Sequence, residues 1–231
     1  MTKTVVIHQP DFLPHLGFFQ RLLHADLYIA LDHAQFVNGT SRSWTHRDKI
    51  KTPRGAQWLT VSVRKAPRET PINAIALSNT DWRIQNLNLL RENYHQASFF
   101  DEIYPELQNL YAAPCTWLVE FTMASIEMLS RLLGISVPTV LSSSLRPAWH
   151  KNELLVELLR KVGATHYLSG LGARDYFDPA PFSAAGIEVI WQDFKHPVYP
   201  QLHGDFEPYL SSIDLLFNCG AAESLKLLRE C

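Results

Sequence analysis

The residues able to do chemistry gather where apolar runs end. His8-Gln9 follows the run 4–7, Asp32 with His33 and Gln35 follows 27–31, Ser169-Gly170 follows 165–168, and Asp193 with His196 follows 186–191. His8 is a candidate general acid or base, or a phosphate contact. The competing reading makes it a structural histidine bonded to its own loop. Gln9 is placed to hydrogen-bond a substrate and Asp32 to act as a base or as an orienting group, with His15 and Gln35 as further contacts. Arg47, Lys49 and Lys51 alternate beside Trp44, so an extended segment would project all three cations to one side, where a phosphate or carboxylate suits them. A solvated surface strand is the alternative there. Ser169, Gly170 and Arg174 form a second candidate anion contact, and His196 and Tyr199 would close the site from the far side.

These side chains need elements to hold them. Residues 4–7 are β-branched and read as a short buried strand. Pro10 ends its ladder, and a helix led by Phe18-Phe19 follows. A second strand at 26–31 completes a βαβ unit, which requires parallel pairing. Strands are expected at 58–63, 71–77, 137–142, 165–169 and 186–191. Helices are expected from 81 through 111 with a break, then over 114–133, 154–162, 210–217 and 221–228, with Gly134 and Gly163 as stops. The prediction is an α/β fold: a mostly parallel Rossmann-like sheet flanked by helices. Residues 1–231 form a single domain with a mostly helical insertion or subdomain at about 81–135. In such sheets the carboxyl ends of the strands share one edge, so the four polar clusters would converge on one crevice. That convergence argues for an enzyme or small-molecule binder.

Composition narrows the class. A chain of 231 residues, 46% hydrophobic and 19% charged, can bury an ordinary globular core. The net charge of -2 offers no electrostatic case for DNA or an anionic membrane. No apolar run approaches the ~20 residues that span a bilayer, and the chain enters a strand directly after Met-Thr-Lys, so no signal peptide is expected. Cys115, Cys219 and Cys231 lack paired zinc spacing and read as reduced thiols of a cytoplasmic protein. No metal ligands are assigned; a site built from Asp32, His33 and His196 would lack the helical His-x-x-x-His or paired-cysteine spacing. The elbow Gly-x-Ser-x-Gly of a serine hydrolase is absent around Ser169.

Two resemblances add to this. His15-Leu16-Gly17-Phe18 and Ser169-Gly170-Leu171-Gly172-Ala173-Arg174 are similar to the paired phosphate-contacting turns of the His-x-Gly-His nucleotidyltransferases, with Phe18 in place of the second histidine. Far more of the chain resembles the WbqC-like family. The blocks are Ile7-His8-Gln9-Pro10, Leu13-Pro14, Gly17-Phe18-Phe19, the Asp32 to Phe36 cluster, Ser43-Trp44 with Arg47 and Ile50-Lys51-Thr52, the stretch from Tyr167 to Tyr176, and His196-Pro197-Val198-Tyr199-Pro200-Gln201. That resemblance implies a bacterial protein of the kind encoded with surface-polysaccharide (O-antigen) genes and a role as an amino-acid (glycine among them) transferase. The two resemblances together lead to the expectation of a transferase that moves or activates an aminoacyl or nucleotidyl group in surface-polysaccharide biosynthesis. The expected partner is a small nucleotide, amino-acid or sugar-phosphate substrate, with no DNA binding or membrane insertion; the cofactor is unassigned, with ATP or another nucleotide and Mg2+ as the candidate. His15 is not part of this signature. The alternatives are a non-catalytic binder of a sugar nucleotide or carrier, and a metal-dependent hydrolase.

Overall fold

The structure is a computed structural model that describes residues 2–39 and 43–231. The elements run β1 (Thr4–His8), α1 (Leu16–Leu23), β2 (Leu27–Ala30), β3 (Arg47–Thr52), β4 (Gly55–Thr60), α2 (Trp82–Tyr94), α3 (Phe100–Ala112), α4 (Leu118–Leu132), β5 (Thr139–Leu141), α5 (Lys151–Lys161), β6 (His166–Ser169), α6 (Ala180–Ala184), β7 (Glu188–Trp191) and α7 (Ser212–Arg229).

Five strands form one sheet in the order β5-β2-β1-β6-β7, and every pairing in it is parallel. The fold is thus α/β and Rossmann-like. β1 lies at the centre, and its side chains alternate between two cores as the two-residue period of a strand requires. Val5 and Ile7 pack with Val156, Leu158 and Leu159 of α5 and Phe182 of α6, whereas Val6 faces α1, α4 and α7. A strand buried on both faces explains the unbroken Val-Val-Ile run. From β1 the chain goes through α1 to β2 on one side. After β5 it returns through α5 to β6 on the other side of β1. The order therefore reverses between β1 and β6, and the ends of these two strands splay around a crevice.

Three elements differ from the sequence expectation. The segment expected as a strand at 71–77 forms a 3-10 turn, Ile72–Ala74, with single bridges from Gln35 to Pro71 and Val63 to Leu77. Pro71 lacks the N–H a ladder needs, so the segment caps β2 and α4 instead of extending a sheet. The strand expected at 58–63 begins earlier and pairs with β3 as a separate antiparallel hairpin. The two expected terminal helices form α7, which breaks at Gly220 (φ 72°). The helices α2, α3 and α4 share one apolar cluster with α1 and α7.

Gly220 is where α7 turns against Phe99: an added Cβ would sit 2.5 Å from the Phe99 ring. The left-handed backbone and the ring contact act together. Gly220→Ala is expected to lower stability by about 2–4 kcal/mol, read as a lower urea midpoint with an unchanged slope.

Candidate functional site

The loop after β1 carries the chemistry because Pro10 ends the strand and β6 lies alongside. His8 Nδ1 is 3.0 Å from the Gln9 carbonyl oxygen. A carbonyl only accepts, so Nδ1 bears the proton and Nε2 keeps its lone pair. Burial, with the Arg21 charge nearby, pushes the His8 pKa down to about 3. Asp11 Oδ2 stands 3.6 Å from the same Nδ1. Burial raises the Asp11 carboxyl to about 7, and its Oδ1 is enclosed with no hydrogen-bond donor. His15 caps α1: its Nδ1 accepts from Gly17 N at 3.1 Å, which leaves the proton on Nε2. Burial lowers this imidazole to about 4. A Cβ on Gly17 would lie 2.7 Å from His15 Cε1, so only glycine lets the ring fold over the helix start.

Arg21 is the residue of this site that the sequence reading passed over. It lies on the inner face of α1, only 5% exposed, between the apolar Phe18 and Leu22. Helical side chains lean toward the N-terminus, and this one reaches back so that Nη1 would lie 3.2 Å from a Cβ placed on Gly170. The guanidinium makes no hydrogen bond or ion pair with any described residue, and its Nε is fully enclosed. Burial lowers its pKa. A cation on the apolar face of a helix was the available signal. Gln192, also unforeseen, donates to Gly17 O and Gln20 Oε1, both at 2.7 Å, and ties β7 to α1 across the same crevice.

The crevice has a volume of about 760 Å³ and is walled by His8, His15, Arg21, Trp44, Ser169 and the turn from Gly170 to Ala173. A second cavity of about 330 Å³ shares His8, His15, Trp44 and Tyr209 and adds Asp11, Asp48, Pro14 and Phe18. His8, His15, Ser169 and Gly170 are therefore brought together.

The other residues singled out from sequence lie elsewhere. Gln9 Oε1 accepts from Thr45 Oγ1 at 3.0 Å and lines neither cavity. Asp32 accepts from Ser142 Oγ, Ser143 N, Ser143 Oγ and Asn73 Nδ2 at 2.6–3.1 Å. Burial alone would raise its pKa, but the bonds from Ser143, Ser142 and Asn73 outweigh that and hold it below the usual carboxylate range. It clamps the end of β2 to the end of β5. Gln35 is exposed and donates to Arg68 O at 2.7 Å. The three alternating cations do not converge on one group. Arg47 stacks over Trp58 at 4.1 Å, Lys49 Nζ is 5.4 Å from the same ring, and Lys51 is buried, donating to Gln201 Oε1 and to the Gly204 and Asp205 carbonyls. Tyr199 is buried and donates to Asp214 Oδ2 at 2.9 Å, beside Tyr94 and Gln201 on the same carboxylate. His196 packs among Phe194, Tyr199, Phe206 and Tyr209, its Nδ1 on Pro197 O and its buried Nε2 without a partner. Arg174 is exposed over Trp191 at 5.2 Å, outside the crevice wall although its neighbours Ala173 and Asp175 line it. Among the described residues no three His, Cys, Asp or Glu side chains converge to hold a metal ion, and no helix is long and apolar enough to cross a membrane.

Fold and site together define an α/β protein with a polar crevice at the reversal point of a parallel sheet. The chain belongs to the WbqC-like protein family, whose sequence pattern matches residues 9–225. It is 36% identical over 232 residues to the "Uncharacterized protein Rv1507c" of Mycobacterium tuberculosis, with 99% of each chain covered. No solved structure matches it.

Two outcomes follow from the geometry. Asp32→Ala would leave Ser142, Ser143 and Asn73 without their acceptor and is expected to cost about 2–4 kcal/mol, read by chemical denaturation, with binding in the crevice retained. Asp11 has the opposite character. Its folded pKa of about 7 lies above the ordinary value near 3.9, so the ionised group destabilises the fold above pH 7 and the penalty fades as pH falls toward 4. Asp11→Asn is thus expected to melt higher than the parent at pH 8, with the gap narrowing steadily as pH falls from 7 toward 4.

Proposed function

We propose that the protein is a transferase that binds the phosphate or carboxylate of an activated small molecule in the crevice between β1 and β6. Its task is to move an aminoacyl or nucleotidyl group, and its setting is bacterial surface-polysaccharide assembly. The observation that carries the reading is Arg21: a guanidinium almost wholly buried, without a protein acceptor, beside the Gly170 turn. An uncompensated buried cation is costly, and an anionic ligand group would repay that cost through charge-assisted hydrogen bonds. Gly170 leaves room for the approach.

The proton traffic falls to His8. Its Nε2 lone pair would accept the proton of the attacking group, while Asp11 and the Gln9 carbonyl hold Nδ1. Burial, with the Arg21 charge added to it, suppresses His8 as a base. A bound anion would offset the Arg21 part of that shift and raise the imidazole pKa, so His8 would be a stronger base with substrate present than without it. Group transfer of this kind depends mainly on positioning and charge neutralisation, which Arg21 and the Ser169-Gly170 end would supply. A nucleotide cofactor would place its phosphates on Arg21 and the turn that follows β6.

The test compares the parent with Arg21→Met, which keeps length and burial but removes the charge. The ligand-free variant is expected to be more stable by about 1–3 kcal/mol, while the rise in melting temperature given to the parent by pyrophosphate, ATP or a nucleotide sugar should vanish. An unchanged rise in the variant would refute the anion site. Release of AMP or pyrophosphate in the presence of amino acids would establish the activating step; ligand-dependent stabilisation without any turnover would favour a non-catalytic carrier.

A further inference from the structure

The smaller cavity beside the crevice has a different chemistry, and the reading above leaves it unused. Asp11 and Asp48 both face it, close enough for each charge to be felt by the other. Asp48 is 4% exposed, and Lys49 N donates to its Oδ1 at 2.6 Å, from the next residue of its own strand. Asp11 Oδ1 is enclosed with no donor at all. Among the described residues no lysine or arginine nitrogen comes within 4 Å of either carboxylate; the ion-pair contact is His8 Nδ1 to Asp11 at 3.6 Å, on a ring that burial keeps neutral. Arg47 lies over the Trp58 ring, and Lys49 Nζ stands 5.4 Å from Trp58 and 5.9 Å from Trp44, where its charge reaches Asp48 without forming an ion pair. The remaining walls are Phe18, Trp44 and Tyr209, whose ring faces attract a cation.

We propose that this cavity is a subsite for a primary ammonium group, so that the protein takes an amine-bearing substrate on Asp11 and Asp48 while an anionic substrate group sits on Arg21. Two enclosed carboxylates with no lysine or arginine ion pair, one with an orphan buried oxygen, are better matched by an ammonium with three donors than by a neutral group. A hydroxyl offers one donor and no charge, and leaves that cost in place. The groups facing Asp11 from every side are the His8 and His15 rings, the Thr45 hydroxyl, Asp48 and, across the shared wall, Arg21. His8 and His15 line both spaces, so an amine nitrogen held here would border the group bound in the crevice. The inference rests on the crevice reading for the identity of the second substrate, but not for the binding of the amine itself.

The experiment is calorimetric titration of the full chain with glucosamine against N-acetylglucosamine and glucose, which share the ring and differ at the amine, and with propylammonium against propanol. Because burial raises both carboxyl pKa values, binding of an ammonium is expected to release whatever protons they carry, seen as a heat that depends on the ionisation enthalpy of the buffer. Glucosamine or propylammonium should bind and the uncharged counterparts should not. Asp48→Asn and Asp11→Asn should each weaken amine binding tenfold or more, on the order expected for loss of one charged partner, and Arg21→Met should leave it in place. Equal binding of glucosamine and N-acetylglucosamine, binding unaffected by both Asp variants, or no amine binding at all would overturn the proposal. Mg2+ competing with propylammonium at equal concentration would also overturn it, by making the pair a cation site of another kind. Loss of pyrophosphate binding in Arg21→Met alone reports on the crevice, so the two readings fail separately.

Discussion

The parallel pairing of β1 with both β2 and β6 is the constraint on which the rest depends. A strand sandwiched this way has no free edge and no free face, so its only outlet for polar side chains is its carboxyl end. Four β-branched or aliphatic residues commit 4–7 to that position, and Pro10 then halts the ladder where β6 also stops. The crevice is the space that remains when the chain leaves β1 for one side of the sheet and comes back on the other. His8 stands at its floor because it is the last residue of the central strand.

Burial, more than any single bond, sets the chemistry of that space. The same desolvation that keeps His8 and His15 neutral lifts Asp11 and lowers Arg21, whose guanidinium lies over the Phe18 ring with no hydrogen-bond acceptor among the described residues. Two other buried carboxylates are matched: Asp32 has its serines, and Asp214 has Tyr94, Tyr199 and Gln201. The contrast marks the crevice. A fold that satisfies Asp32 and Asp214 so fully tolerates imbalance at the crevice, and a bound substrate is the group whose charge would restore it.

Much of the fold was legible because strands buried on both faces leave unbroken apolar runs, and because a short helix between two of them forces parallel pairing. The antiparallel hairpin was blurred by the loop before it, and the 71–77 segment misled because its apolar residues point into a core without any ladder. The site was legible only in part. Polar residues after strands have two fates, and sequence does not separate them: His8 and Ser169 open onto the crevice, while Asp32 spends its oxygens on a neighbouring loop. Lys51 and Tyr199 looked like ligand contacts because their partners, the carbonyls near 204 and the carboxylate of Asp214, lie far away along the chain. Arg21 escaped notice for the opposite reason, since a charge inside an apolar helical run is easily taken for a surface position.

The account turns on whether Arg21 is the anion contact of the crevice. Crystals soaked with tungstate would answer this directly through anomalous scattering. The expected result is a tungsten site within hydrogen-bond reach of the Arg21 guanidinium and against the Gly170 turn, absent when Arg21 is replaced by methionine. An empty crevice, with tungstate bound only at surface lysines or at Arg174, would contradict it.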